Sequence, residues 1–289
     1  MKKQAGITMT IMLYLMAAIA IAYVIRIGGN YPTGVDTMCH VYKGDVLYHA
    51  IRQGNWYPLY DRFWYNGVQM MRYWAPLPVY FLAFCQAIAG GVDLEGYLVF
   101  VSLVFYLGAL VWLYIGIRKN RLVLGAFMGG LWFFMPNNLY ALFVEGNLPR
   151  SLSMVLLPLF IYFVSEYLFE NDWRSLIMAV PVFVGIALCH VGYAGMIALA
   201  MLLFLLVYRI LYHRTGKCIP VIVSIILPFM IIGIWLYASL KGGITSTDSS
   251  QVMKGFFQDA VISLNPLRRL TRGNTDFYFG FAAFAVAVF

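Results

Sequence analysis

Charge is what this chain has least of. Asp and Glu number 12, Lys and Arg 20, and together they make 11% of the 289 residues, against roughly 25% in a soluble domain. That shortage excludes an ordinary water-soluble globule. Cysteine is scarce too: Cys39, Cys85, Cys189 and Cys218 form neither a CxxC pair nor a metal-ligand spacing, so no disulfide framework or zinc module is encoded and buried thiols are expected. No segment alternates polar and apolar residues over strand lengths, which excludes a membrane barrel. No basic run interleaves with exposed aromatics, so nucleic acid is not an expected partner. Internal repeats and low-complexity segments are also absent.

What fills the chain is apolar sequence, 62% of residues with a mean hydropathy of +0.79. A crossing helix needs about 20 such residues. Runs of this kind predict crossings near 7–27, 97–117, 122–136, 151–168, 175–189, 193–212 and 219–240, with another starting at about 277. The expected fold is therefore all-α, a multi-pass integral membrane protein of about eight transmembrane helices. It reads as a single membrane domain over 1–289, with long loops at 28–96 and 241–276. The run at 75–91, "APLPVYFLAFCQAIAGG", carries two prolines and ends in a Gly pair, which suits an interfacial helix in the first loop better than a crossing. "FYFGFAAFAVAVF" stops after 13 residues, and the chain is expected to be the N-terminal part of something longer.

Orientation follows from the short loops. "KK" at the start, "RKNR" at 118–121, "DWR" at 172–174 and "YRILYHRTGK" at 208–217 place the N-terminus and these turns in the cytoplasm. The long loops then face the extracytoplasmic side of the cell membrane. The basic start precedes an apolar run too long for a signal-peptide core, so it reads as a retained anchor. A net charge of +8 favours anionic partners such as lipid headgroups and phosphate-bearing lipids.

The chemistry concentrates in the first loop. In "GVDTMCHVYKGDVLYHAIRQGNWYPLY", 34–60, helical spacing puts Asp36, His40 and Lys43 on one face and Asp45, His49 and Arg52 on the opposite one. Spacing alone leaves open which stripe faces inward. The second stripe reads as solvated charge. Asp36, at the junction with the first membrane helix, suits either a helix cap or a general base presented at the membrane face. Downstream aromatics, Tyr73 and Trp74 among them, fit a headgroup-level belt and also fit stacking on sugar rings. His190, in "LCHVGYAG", is an ionisable group near membrane depth, satisfied by a neighbouring carbonyl or acting as a ligand. Arg268, Arg269 and Arg272 in "NPLRRLTRGN" can meet headgroup phosphates or the phosphate of a departing donor.

The succession "GVDTMCH", "GNWYPLYDRFWYNGVQMMRYWAPLPVYFLAF", "EGNLPRSLSMVLLPL" and "LCHVGYAG" resembles the bacterial membrane family labelled 6-pyruvoyl-tetrahydropterin synthase-related, which is similar in turn to the GT-C glycosyltransferases. No residue here suggests pterin chemistry. The resemblance implies interfacial helices in the first outer loop, a polyprenyl-phosphate sugar donor, and an acidic residue soon after the first helix serving as base or metal ligand. Asp36 matches that position. The Asp-Asp or Glu-Asp pair of some GT-C enzymes is missing, His40 standing where the second acid would be. Metal-dependent members draw a carboxylate from the next outer loop, where Glu145 lies. Glu145 and Asp36 sharing a magnesium or manganese ion is one reading, and Glu145 pairing with Arg150 is the other.

The expected activity is an inverting glycosyl transfer from a polyprenyl-phosphate sugar to a glycan, lipid or protein acceptor. Asp36, His40 and Glu145 are the catalytic candidates, and Arg150, His190, Tyr73, Trp74, Arg268, Arg269 and Arg272 the substrate-binding ones. The rival is a non-enzymatic membrane protein that exports, flips or scaffolds a polysaccharide or lipid. Helix interiors between 97 and 240 hold almost no charge, which argues against an ion-coupled transporter.

Overall fold

The computed structural model describes residues 2–29, 34–64 and 67–241. The helices are α1 Lys2–Gly28, α2 Thr37–Arg52, α3 Met70–Tyr73, α4 Pro76–Ile88, α5 Asp93–Arg118, α6 Leu122–Trp132, α7 Pro136–Leu139 running on into a π turn at Tyr140–Val144, α8 Leu148–Glu170, α9 Trp173–Cys189, α10 Val191–Tyr212, α11 Thr215–Ile231 and α12 Gly233–Lys241. Among the described residues the extended pairing is one isolated bridge, Asp61 to Val68.

The protein is a multi-pass helical membrane protein. Among the described residues five segments are long and apolar enough to cross a bilayer: Gln4–Gly28, Asp93–Arg118, Leu122–Val144, Leu148–Glu170 and Val191–Tyr212. A sixth is formed if α11 and Gly233–Ser239 count as one span bent by 57°. Pro228 inside α11 and Gly233 at the break account for the bend, since one removes a ladder hydrogen bond and the other weakens the next turn. Length does not yield the expected eight. α9, with 17 residues, is at the lower limit of crossing length and stands outside the five, and the run from 277 lies outside the described residues. α4, with 13 residues, is too short to cross, as its prolines suggested.

Among the described residues packing divides into three apolar clusters. One surrounds α5, where Tyr97, Phe100 and Phe105 meet Trp132 and Leu142. A second joins α8 to α11 through Phe160, Phe183, Tyr208 and Val221. The third lies under α2, formed by Leu47, Met70, Met71, Val79 and Ala83. α12 latches onto α3, with Trp235 Nε1 donating to the Met71 carbonyl at 3.0 Å and Arg72 Nε to the Ala238 carbonyl at 2.9 Å.

Tight turns make neighbouring spans antiparallel. Asn171 ends α8 in the left-handed region at φ 61°, and Asp172 then caps α9 by accepting from the Arg174 amide at 3.1 Å. The basic turns gather at one end of the bundle: Lys119 pairs with Glu166, while Lys217 Nζ and Tyr208 Oη both donate to the Leu168 carbonyl at 2.9 Å. α8 runs from these groups to Arg150 near its start, about 30 Å at 1.5 Å per residue. Asp36, Glu145 and His190 therefore collect at the end opposite the basic turns.

Candidate functional site

The site is built on two glycine turns stacked backbone on backbone. Val35 N donates to the Val144 carbonyl at 3.1 Å and Asp36 N to the Glu145 carbonyl at 3.0 Å. Gly34 and Gly146 have φ of +105° and +70°, a region open to glycine at little cost. A Cβ on Gly34 would lie 2.7 Å from the Gly146 Cα, and one on Gly146 would fall on the Thr37 hydroxyl and 2.6 Å from the Thr37 nitrogen. The π turn sets this up: its last rung runs from Glu145 N to the Tyr140 carbonyl at 3.0 Å, and beyond it Asn147 N closes back onto the Ala141 carbonyl, six residues earlier, at 2.9 Å. This widened turn swings Glu145 against the start of α2. Such π segments are frequent at functional sites.

Asp36 occupies the N-cap position of α2, but its side chain makes no capping bond. Its carbonyl accepts from His40 N at 3.1 Å, and the residue is exposed. The stripe left open by spacing is now assigned. His40 and Lys43 are buried, at 8% and 0% exposure, so this stripe turns inward below Asp36, which stays exposed at its head. His49 and Arg52 are exposed. Asp45 is not simply solvated, since it accepts from Gln86 Nε2 at 2.7 Å and ties α2 to α4.

Glu145 and Arg150 form a two-oxygen ion pair, Nη1 lying 2.6 and 2.7 Å from the carboxylate oxygens. Arg150 Nη2 donates to Asn137 Oδ1 at 3.0 Å. Asn147 caps α8 by accepting from Arg150 N at 3.1 Å, and Pro149 in the first turn needs no amide partner. His190 caps α10, its Nδ1 accepting from Tyr193 N at 3.1 Å; an amide rather than a carbonyl satisfies it. The guanidinium of Arg150 lies 6.0 Å from the Tyr193 ring centre. Trp74 stacks on Trp64 with centroids 5.5 Å apart and 14° between planes. Lys43 Nζ sits 4.1 Å from the Trp74 centroid and 5.1 Å from that of Trp64. Tyr73 meets Trp74 edge-on at 6.4 Å.

A family model for the 6-pyruvoyl-tetrahydropterin synthase-related domain, described as a membrane protein, matches residues 71–289. The chain belongs to this family. No curated protein and no solved structure matches it. The matched stretch of this 6-pyruvoyl-tetrahydropterin synthase-related protein contains Glu145, Arg150 and His190, whereas Asp36, His40 and Lys43 precede it.

Electrostatics separate the members of the site. Burial, with added repulsion from Lys43 and His190, pushes His40 down to about 3. His190 is lowered by burial and by Arg150, with Glu145 opposing. Both imidazoles are therefore neutral at physiological pH. Burial also lowers Lys43; contact with the Cys39 sulfur and the Asp36 carboxylate favour its charge, but Nζ has no oxygen acceptor. Unfolded His40 titrates near 6.5, so the unfolded state binds more protons between about pH 6.5 and pH 3, and stability falls as pH falls through that window. The expected slope is at most about 1.4 kcal/mol per pH unit. Thermal midpoints of the purified family member should drop below pH 6.5, and His40→Gln should flatten most of that drop.

Both Glu145 oxygens are engaged by Arg150, and among the described residues no group of three or more His, Cys, Asp or Glu is placed to hold an ion. Pairing with Arg150 is the arrangement found. Arg150→Met should destabilise by about 1–3 kcal/mol by leaving the half-buried carboxylate unpaired, and adding Glu145→Leu should restore most of it; thermal unfolding of both variants measures this. Arg268, Arg269 and Arg272 lie outside the described residues. Asn137 and Tyr193 were not singled out from the sequence, and Trp64 stood there only as one of the first loop's aromatics. The sequence put Lys43 on the right stripe without assigning it to the site, though its i+7 spacing from Asp36 was the available signal.

Proposed function

We propose that this protein is a membrane-embedded, GT-C-like inverting glycosyltransferase using a polyprenyl-phosphate sugar, with its site at the extracytoplasmic face. The observation that carries the reading is the docking of the Asp36 turn onto the Glu145 turn, beside His40, Arg150 and His190. Two segments distant in sequence are held together by backbone, which frees the Asp36 carboxylate for chemistry. The positive-inside rule supports the orientation, because the basic turns lie at the opposite end of the bundle.

In this mechanism Asp36 takes the proton of an acceptor hydroxyl as that oxygen attacks the anomeric carbon. The bond from that carbon to the phosphate oxygen breaks, the phosphate leaves with the electron pair, and configuration inverts. Arg150 Nε is buried without a partner, so one N–H of the ion-paired guanidinium remains to meet the leaving phosphate. Neutral His40 and His190 can hold hydroxyls without adding charge. Stacked Trp64 and Trp74 offer an aromatic wall for the sugar.

Purified protein in proteoliposomes, given radiolabelled polyprenyl-phosphate sugar and a membrane extract as acceptor source, should release polyprenyl phosphate and yield labelled product. Donor that binds but is never consumed would favour the non-enzymatic carrier or scaffold instead.

A further inference from the structure

Lys43 is fully buried; the Cys39 sulfur, one turn back on the helix, lies within reach of it, but its Nζ has no oxygen acceptor. An ammonium carries three donors, and leaving them unmade in a dry setting costs far more than two ring contacts return. Folded proteins seldom keep such a group unless something outside the fold completes it. The rings of Trp74 and Trp64 stabilise positive charge at 4.1 and 5.1 Å, but neither can accept an N–H bond as an oxygen does. The neighbouring titratable groups bring no free carboxylate to this nitrogen. His40 shares its helix face, His190 interacts with His40 from the head of α10, and Arg150 interacts with His190. Glu145 is spent on Arg150, and the Asp36 carboxylate acts on Lys43 only at a distance.

We propose that Lys43 is an oxyanion ligand, taking a phosphate oxygen of the ligand between Trp64 and Trp74. The anion site stands on this geometry alone; its assignment to a lipid-borne phosphate rests on the function proposed above. Nζ is closed off by Trp64, carried on the turn that the Asp61–Val68 bridge closes, and by Trp74, which ends α3. An entering oxyanion has to part these rings. Binding is therefore coupled to indole emission.

The experiment uses the full chain in phosphatidylcholine nanodiscs, with a polyprenyl monophosphate, the matching polyprenol and inorganic phosphate as probes, followed by tryptophan fluorescence. Wild-type protein should bind the polyprenyl phosphate with a change in emission, and at least about tenfold more tightly than the polyprenol. Lys43→Met should weaken that binding about tenfold or more, while Lys43→Arg keeps most of it. Lys43→Met should also melt at the same or a higher temperature than wild type, because a methionine of similar shape removes an unsatisfied buried cation. A lower melting temperature or failure to fold would mean that the cation holds the rings together, and would overturn the proposal. So would a folded Lys43→Met that binds like wild type. Inorganic phosphate binding as tightly as the lipid, with the same Lys43 dependence, would keep the anion site and remove the lipid-phosphate assignment.

Discussion

Asp36→Asn is expected to cut sugar transfer by about 10²–10⁴-fold, the usual contribution of a positioned general base, with no change in melting temperature. The two parts of that statement rest on different atoms. What Asp36 gives the fold is backbone: its amide donates to the Glu145 carbonyl and its own carbonyl accepts from His40 N. Asparagine keeps both bonds. The carboxylate makes no capping bond, so its replacement leaves no orphaned amide at the head of α2. Transfer measured at equal protein in proteoliposomes decides the matter. If Asp36→Asn transfers sugar at the wild-type rate, Asp36 has no part in the chemistry, whatever the fold.

Gly146→Val should be more damaging still, because it strikes the junction itself. A valine at φ +70° is strained, and its Cβ would enter the space of the Thr37 hydroxyl and amide. Backbone strain and overpacking together predict a loss of about 2–4 kcal/mol, with transfer falling below detection as Asp36 moves away from Glu145. Gly54→Ala is the matched control: φ is +85° there too, but nothing lies within 4 Å of the added Cβ. It should be strained locally and keep its activity. Thermal unfolding in detergent, with transfer assays on the same preparations, separates the two effects. Equal behaviour of the two variants would mean that contact between the turns is irrelevant.

Much of the membrane architecture is legible in residue order because crossing a bilayer imposes a crude length rule. α1, α5, α8 and α10 each fall on an apolar run of the required length, and the prolines of "APLPVYF" marked α4 as too short. The rule fails at its margins. α9 is a 17-residue helix whose place depends on packing against α8, and the bend after α11 reflects a local break that hydropathy averages away.

The site was legible only as a set of candidates. Asp36, His40 and Lys43 stood out by spacing, yet the opposite stripe had the same spacing. The choice between them was made when Leu47 docked against Met71 and Val79 and turned His40 and Lys43 inward. Glu145 could be read as a metal ligand or an ion-pair partner. Arg150, brought round by the first turn of α8, is the partner the fold supplies.

Sequence by itself determined that this chain lives in a membrane as helices, where its basic turns fall, and which residue types cluster between the spans. These follow from free energies summed over single residues: apolar transfer, backbone satisfaction and loop charge. Only tertiary structure decided that Gly34 meets Gly146, that Asp36 lies beside Glu145, and that Lys43 is shut behind two indoles. Those are contacts between segments far apart in the chain, set by close packing of backbones and rings, and no sum over single residues contains them.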